Sequence, residues 1–223
     1  MDSPNFGGYE TMTALNFLLE PERVCIAMDT LVIRPDTRTP FLYASKIFPL
    51  PHLGGVMCGT GLMQFVIDWF VCIQTSVIAR DVPHLNNYTS EQLRVIAVKY
   101  KLISDLTSTI YHFGYSAAEQ CYKGFAYRSK TNFVSEELEY GFGIKPPVEY
   151  KPIQSLPNGF IEMTERQRIE DKEKPTEQQV GIGGDIHLFV MTPEQMLLTR
   201  CHRFKDYDSF YNKMLENLRA EKD

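Results

Sequence analysis

The sequence has no C-x-x-C pair and no cluster of cysteine and histidine with the spacing of a zinc site. Its five cysteines are odd in number, widely separated and located in largely apolar stretches of the chain. This pattern favours buried free thiols, which persist in a reducing compartment. We therefore expect a cytoplasmic protein that has no structural metal and no cofactor.

The sequence also lacks an excess of positive charge and a long apolar run. Its formal net charge is −5 at pH 7, which argues against binding to the phosphate backbone of nucleic acid. The longest apolar stretch, residues 62–73, is interrupted by Gln64 and Asp68 and is too short to cross a bilayer. The polar start MDSPNFGGYE does not resemble a signal peptide. Neither nucleic acid nor a membrane is an expected partner.

Apolar residues are abundant enough for a core, at 43% hydrophobic and 12% aromatic of 223 residues. The runs ALNFLL (14–19) and VCIAMDTLVI (24–33) flank the turn residues 20–22, which predicts an antiparallel hairpin. Residues 42–50 and 53–60 predict a second pair of strands. Apolar residues occupy both faces of VCIAM, a pattern typical of a sheet that is covered on both sides.

Apolar spacing predicts a helix over residues 61–80 and another over 89–113. The second starts with the capping-box pattern Thr89-Ser90-Glu91-Gln92, after the loop DVPHLNN. Strands are expected again within 121–145 and 186–204, followed by an amphipathic terminal helix. Residues 146–180 are rich in proline and charge, so we expect an irregular insert there, with a short exposed helix at about 162–173.

This succession of elements fits the α+β class as a four-layer αββα sandwich. In it, two mostly antiparallel sheets face each other and the helices lie outside. No segment has the composition of a linker between domains. We expect one domain over residues 1–223, with residues 1–12 as an N-terminal extension or propeptide and residues 146–180 as the insert.

Four features of the N-terminal part have the chemistry of a nucleophilic site: Thr13, Asp29, Lys46 and the turn Gly59-Thr60-Gly61. A threonine hydroxyl is a weak nucleophile until a base removes its proton, and a free α-amino group on the same residue can do this. A buried lysine supplies positive potential beside the hydroxyl, and an aspartate can hold its ammonium. The backbone N–H of Gly59 can bind the developing oxyanion.

The order of these residues resembles the proteasome β-subunit branch of the N-terminal-nucleophile hydrolases. A threonine begins a strand, Ala27-Met28-Asp29 places an aspartate sixteen residues later, Lys46 follows in YASKIF, and Gly59 precedes the first helix. GGDIHLFVM and LLTRCHRF resemble the closing strands of that family. The resemblance implies the αββα sandwich, threonine-dependent hydrolysis of amides or peptides, autoproteolytic release of the nucleophile, and a homo-oligomer assembled as a ring.

Several positions depart from the pattern of that family. Phe142, within Gly141-Phe142-Gly143, stands where active members have a serine. Alignment on Gly183-Gly184 puts Gln179 and Ile182 where they have an aspartate and a serine. Met12 precedes Thr13 where the family cleaves after glycine, so the nitrogen of Thr13 is an amide in this chain.

The sequence leaves three functions open. The first is a protein of this fold that stays unprocessed, has little or no peptidase activity, and acts by self-assembly or by binding a peptide or small molecule. The second is a hydrolase in which Thr13 attacks, Lys46 tunes the hydroxyl, Asp29 holds Lys46, and Gly59 binds the oxyanion. The third is a module that binds a small metabolite between the sheets. A purely structural interpretation, with a strand residue, an ion pair and a tight turn, also stands.

Overall fold

The computed structural model describes residues 10–11, 13–34, 37–100, 107–149 and 155–220. The strands within these ranges are β1 (Glu10–Thr11), β2 (Leu15–Glu20), β3 (Arg23–Asp29), β4 (Leu31–Ile33), β5 (Pro40–Tyr43), β6 (Ile47–Leu50), β7 (Gly55–Leu62), β8 (Thr109–Ser116), β9 (Cys121–Arg128), β10 (Ser135–Glu137), β11 (Gly141–Lys145), β12 (Asp185–Thr192) and β13 (Gln195–Arg203). The helices are α1 (Met63–Ser76), α2 (Val82–Ala97), α3 (Asn158–Lys172) and α4 (Tyr207–Ala220). No helix in the described part of the chain is long and apolar enough to cross a membrane.

Two antiparallel sheets form the centre of the molecule. The first has the order β1-β7-β8-β9-β10, with β6 also paired to β7, and the second has the order β11-β2-β3-β12-β13. A separate ribbon joins β4 to β5. The predicted hairpin is present as β2 and β3, but its second strand ends at Asp29 and residues 31–33 form β4 instead; the closing pair is present as β12 and β13.

Side chains from both sheets meet in an inner core, where Phe17 lies 5.0 Å from Phe113, centroid to centroid. The helices α1 and α2 cover the outer face of the first sheet with a cluster around Trp69. Helix α3 covers the outer face of the second sheet through Phe160, and α4 packs on β4 and β5 through Met214. The layers therefore follow the order α, β, β, α, and the predicted four-layer sandwich of the α+β class is confirmed.

The prediction of a helix over residues 89–113 was wrong at both ends. Helix α2 begins at Val82, because the Asp81 carboxylate accepts a hydrogen bond from the His84 N–H at 2.8 Å and caps the first turn. Thr89 lies inside the helix and donates to the Leu85 carbonyl. The C-terminal part of the predicted helix is instead strand β8, whose aromatic and β-branched residues suit a sheet.

The prediction for residues 162–173 was wrong about exposure and length. Helix α3 has 15 residues and buries Phe160 and Met163. Its buried face also contains polar side chains, since the Asn16 amide donates to Thr164 Oγ1 at 3.0 Å and to Gln167 Oε1 at 2.8 Å. Because these buried polar groups are hydrogen-bonded, the helix packs on the sheet without an apolar stripe that a sequence pattern could reveal.

We predict that the N-terminal cap of α2 is at Asp81 and contributes measurably to stability. Asp81→Ala should lower the free energy of unfolding by about 1 kcal/mol, because a helix N–H loses its acceptor. Ser90→Ala, inside the helix, should change the free energy by less than about 0.5 kcal/mol. Urea titration at pH 7 measures both values. A larger loss for Ser90→Ala than for Asp81→Ala would place the cap at the later position.

Candidate functional site

Three of the predicted site residues meet at one end of the inner core. Thr13 precedes β2, Asp29 ends β3, and Lys46 precedes β6. Their exposed fractions are 2% for Thr13, 0% for Asp29 and 1% for Lys46. The β2–β3 hairpin brings the first two together, because Leu15 pairs with Met28 and the residues beyond this pair lie at the same end.

The Lys46 ammonium donates three hydrogen bonds. Its Nζ donates to Thr13 Oγ1, to Asp29 Oδ1 at 3.1 Å and to the Leu31 carbonyl at 2.7 Å. An ammonium has three N–H donors, so each has an acceptor here and the geometry is that of the charged form. Burial lowers the pKa of Lys46, whereas the Asp29 charge acts in the opposite direction. Lys46 therefore places a positive charge on the Thr13 hydroxyl and is poorly suited to be a base.

The Asp29 carboxylate is held by several donors at once. Its Oδ1 accepts from Thr13 Oγ1 at 2.7 Å and from the Ala14 N–H at 3.0 Å. Its Oδ2 accepts from the N–H groups of Leu31 and Gly183, both at 3.2 Å. An ionised carboxylate only accepts hydrogen bonds, so this set of donors fits the charged form. Asp29 thereby fixes the starts of β2 and β4 and the loop before β12.

These contacts leave the Thr13 hydroxyl oriented but without a strong base. Its proton is directed at Asp29 Oδ1, whose lone pairs are shared among several donors. The Thr13 nitrogen is in peptide linkage to Met12 in this sequence, and an amide nitrogen does not accept a proton at neutral pH. The site thus holds a hydroxyl in contact with a buried ammonium and a carboxylate, and an amine would be added to it if the Thr13 nitrogen became free.

A cavity of about 200 Å³ opens beside Thr13. Its lining residues are Thr13, Thr60, Gly61, Thr107, Lys145, Pro146, Pro147 and Val180. The short strand β1 pairs with the end of β7, where Thr11 faces Gly61 and Glu10 faces Leu62. The backbone just before Met12 therefore runs along the sheet edge next to this cavity.

Gly59, the predicted oxyanion residue, is not among the residues that line this cavity. A Cβ at Gly59 would lie 2.6 Å from the Val66 side chain, so this glycine allows β7 to approach α1 closely. Gly61 lines the cavity instead, and its φ of +100° requires glycine. The predicted turn of residues 59–61 is instead the end of strand β7, and Gly61 is its glycine that lines the cavity.

The structure places Phe142, Gln179 and Ile182, which depart from the pattern of the resembled family, away from the cavity beside Thr13. Phe142 pairs with Leu18 on the edge strand β11, several residues from Thr13. The Gln179 amide donates to the Lys174 carbonyl at 2.9 Å, and Ile182 is buried between α3 and the second sheet. None of the three lines the cavity beside Thr13.

Two site residues were missed by the sequence reasoning. Asp171 lies in a charged segment but is buried, and its carboxylate accepts from the N–H groups of Val180 at 2.6 Å and Gly181 at 2.9 Å, which positions Val180 in the cavity wall. Lys145 lines the cavity on the opposite side because β11 pairs with β2, with Lys145 facing Leu15. In the sequence, Lys145 could have been noticed as a lysine at the end of a predicted strand, followed directly by two prolines.

The Lys145 ammonium lies between two buried hydroxyl groups, although the residue as a whole is exposed. Its Nζ donates to Thr60 Oγ1 at 2.8 Å and to Thr109 Oγ1 at 3.3 Å. Loss of solvation lowers the pKa of Lys145 to about 8, and the positive charges of Arg128 and Lys130 act in the same direction.

Comparison with known proteins supports the fold but shows no family for the chain. No family model matches the chain, and no curated protein matches it. Among solved structures, the chain is similar to a Gly-1 mutant of Anbu from Hyphomicrobium sp. strain MC1, with a TM-score of 0.61 and 15% sequence identity over 96% of each chain. At this identity the comparison shows a shared fold and nothing finer.

The assignment to the proteasome β-subunit branch of the N-terminal-nucleophile hydrolases is therefore wrong as a statement of family. A member would be expected to match a family model, whereas none matches and the similarity is one of fold at 15% identity. The motifs behind the assignment were only one to three residues long. Such motifs follow from the strand order of the sandwich and do not by themselves indicate descent.

We predict that Asp29 is more important for stability than Lys46. Asp29→Asn leaves the Lys46 ammonium buried without a counter-charge and should cost about 3–5 kcal/mol of unfolding free energy. Lys46→Met removes the buried charge while Asp29 keeps its three backbone N–H donors, so the cost should be about 1–3 kcal/mol. Urea unfolding at pH 7 compares the two variants. A larger loss for Lys46→Met would contradict this ranking.

We predict that Lys145 is acylated at lower pH than an ordinary lysine. Only the neutral amine reacts, and a lowered pKa makes it neutral as the pH rises through about 8. Acetic anhydride labelling followed by peptide mass mapping should give a half-maximal rate near that pH. A model lysine peptide in the same reaction should reach half-maximal rate at roughly pH 10.4. Coincident profiles would show that the ammonium is fully solvated.

Proposed function

We propose that the chain is a latent threonine-dependent amide hydrolase, in which Thr13 becomes the nucleophile when the bond to Met12 is cut. The observation that carries the proposal is the Thr13 hydroxyl itself, which accepts from the Lys46 ammonium, donates to Asp29 and faces a cavity. A structural threonine does not need a buried cation at its oxygen. Burying Lys46 has a desolvation cost that a methionine would avoid.

The reaction follows from these contacts. With the Thr13 amine free, its pKa of roughly 7.7–8.0 lets it take the hydroxyl proton near neutral pH. The Lys46 ammonium stabilises the developing alkoxide, and Asp29 holds Lys46 in place. Oγ1 then bonds to the substrate carbonyl carbon, the C–N bond breaks, and the leaving amine takes the proton. Water hydrolyses the resulting ester and restores the hydroxyl.

The oxyanion formed in this reaction needs a donor. A backbone N–H near the end of β7 is the proposed donor, and Gly61 is the glycine of this segment that lines the cavity. We therefore extend the proposed oxyanion site to the segment from Gly59 to Gly61.

A second candidate function is that of an unprocessed protein that binds ligands or assembles with copies of itself. The pairing of β1 with β7 favours it, because the segment before Met12 occupies the sheet edge at which an extended substrate would pair. In this case the cavity serves as a binding site, and a homo-oligomer, as a ring or otherwise, is the active form. Light scattering on the purified chain tests assembly, and a monomer would rule it out.

Intact-mass spectrometry separates the two candidates. The hydrolase proposal predicts a mass that corresponds to a chain beginning at Thr13, and Thr13→Ala should retain the preceding residues if Thr13 performs the cut. A chain that keeps its full mass in wild type and in Thr13→Ala would support the unprocessed protein and contradict autoprocessing.

Activity provides the second measurement. A chain released at Thr13 from an N-terminal fusion should hydrolyse a fluorogenic peptide amide, and Thr13→Ala should lower kcat/KM by at least about 1,000-fold. Thr13→Ser keeps a hydroxyl and should retain a measurable part of the rate. Equal rates for the released wild type and Thr13→Ala would exclude the threonine mechanism.

A further inference from the structure

Lys145 lines two cavities, one of which is the cavity beside Thr13. It lines both the cavity of about 200 Å³ beside Thr13 and a second one of about 350 Å³ bounded by Phe17, Tyr111 and Arg128. Two of its three N–H donors are used by Thr60 and Thr109. Within the described residues Lys145 Nζ donates no third hydrogen bond, and the charges that act on it are positive.

The charges around Lys145 do not neutralise it. Arg128 and Lys130 are the charged groups that act on its ammonium, and both are positive. Arg128 forms an ion pair with Glu136 on β10. Glu139 lines the larger cavity and is exposed, but among the described residues it makes no ion pair with Lys145. A negative group entering the smaller cavity would thus meet an ammonium with an unused donor.

The remaining walls of the smaller cavity suit a short acid. Thr107 adds a hydroxyl that has no hydrogen-bond partner among the described residues, and Pro146 and Pro147 offer apolar ring surface for methylene groups. Buried Gln167 donates to the Pro146 carbonyl at 2.8 Å, which holds this wall in place. At about 200 Å³ the cavity is below the size of most drug-sized pockets. It fits one amino-acid side chain or a small free acid.

We infer that the cavity beside Thr13 recognises a carboxylate through Lys145, either the side chain of an acidic residue in a peptide or a small free dicarboxylate. The binding itself does not depend on hydrolysis. The further statement that Lys145 selects the substrate of a reaction rests on the proposed function of Thr13. In that case the enzyme prefers an acidic residue near the scissile amide.

Equilibrium binding tests the inference with matched neutral and acidic probes. Acetyl-Glu-methylamide and acetyl-Gln-methylamide differ only in the side-chain group, and glutarate and glutaramide are the corresponding pair of free ligands. Calorimetry on the full chain, wild type and Thr13→Ala, should show at least tenfold tighter binding of the acid in one pair or both. Preference within the peptide pair identifies a peptide ligand, and preference within the glutarate pair alone identifies a free acid.

Substitutions at Lys145 test whether this residue causes the preference for the acid over the amide. Lys145→Met should reduce the preference for the acid to less than twofold, Lys145→Arg should retain it, and Lys213→Met, at an exposed lysine on α4, should leave it unchanged. Equal binding of acid and amide by wild type would overturn the inference whether or not any variant folds. A preference that persists in folded Lys145→Met would also overturn it. Because binding is scored without turnover, failure of the hydrolase proposal would appear separately in the intact-mass experiment.

Discussion

The burial of one lysine constrains the whole end of the sandwich where Thr13 lies. Lys46 is 1% exposed, and its ammonium is tolerated because Asp29, Thr13 and the Leu31 carbonyl each accept a hydrogen bond from it. Such a cluster costs desolvation energy and is sensitive to the loss of any partner, since each remaining group would be buried without compensation. Asp29 extends the constraint to the backbone through three N–H donors. The site is therefore rigid because its charges have no alternative arrangement.

In the proposed mechanism, these contacts orient a threonine within the chain before the bond to Met12 is cut. The hydroxyl is oriented, and the cation that would stabilise its alkoxide is in contact with it. The step that is missing is removal of the proton, because neither Lys46 nor Asp29 has a free lone pair of sufficient basicity. Freeing the Thr13 amine would supply that lone pair without any movement of the buried groups. The same geometry thus supports latency and, after a cut, activity.

Local sequence patterns predicted the parts of the fold that depend on nearby residues. The hairpins follow from turn residues between apolar runs, and the spacing of Thr13, Asp29 and Lys46 follows from the order of the first strands. Local patterns did not predict the features that depend on contacts between residues far apart in the sequence. Helix α3 packs through a buried polar face completed by Asn16, from a distant part of the chain. Lys145 reaches the site only because β11 pairs with β2, and no local motif records that pairing.

The central claim is that a charged Lys46 ammonium donates to the Thr13 hydroxyl in the folded protein. Nuclear magnetic resonance of the chain labelled with ¹⁵N at lysine Nζ observes this group directly, because a buried, hydrogen-bonded ammonium exchanges its protons slowly. We expect one protected NH₃⁺ signal at pH 7 that is absent in Lys46→Met and shifts in Thr13→Ala. A neutral amine signal for Lys46, or an ammonium signal unaffected by Thr13→Ala, would contradict the account.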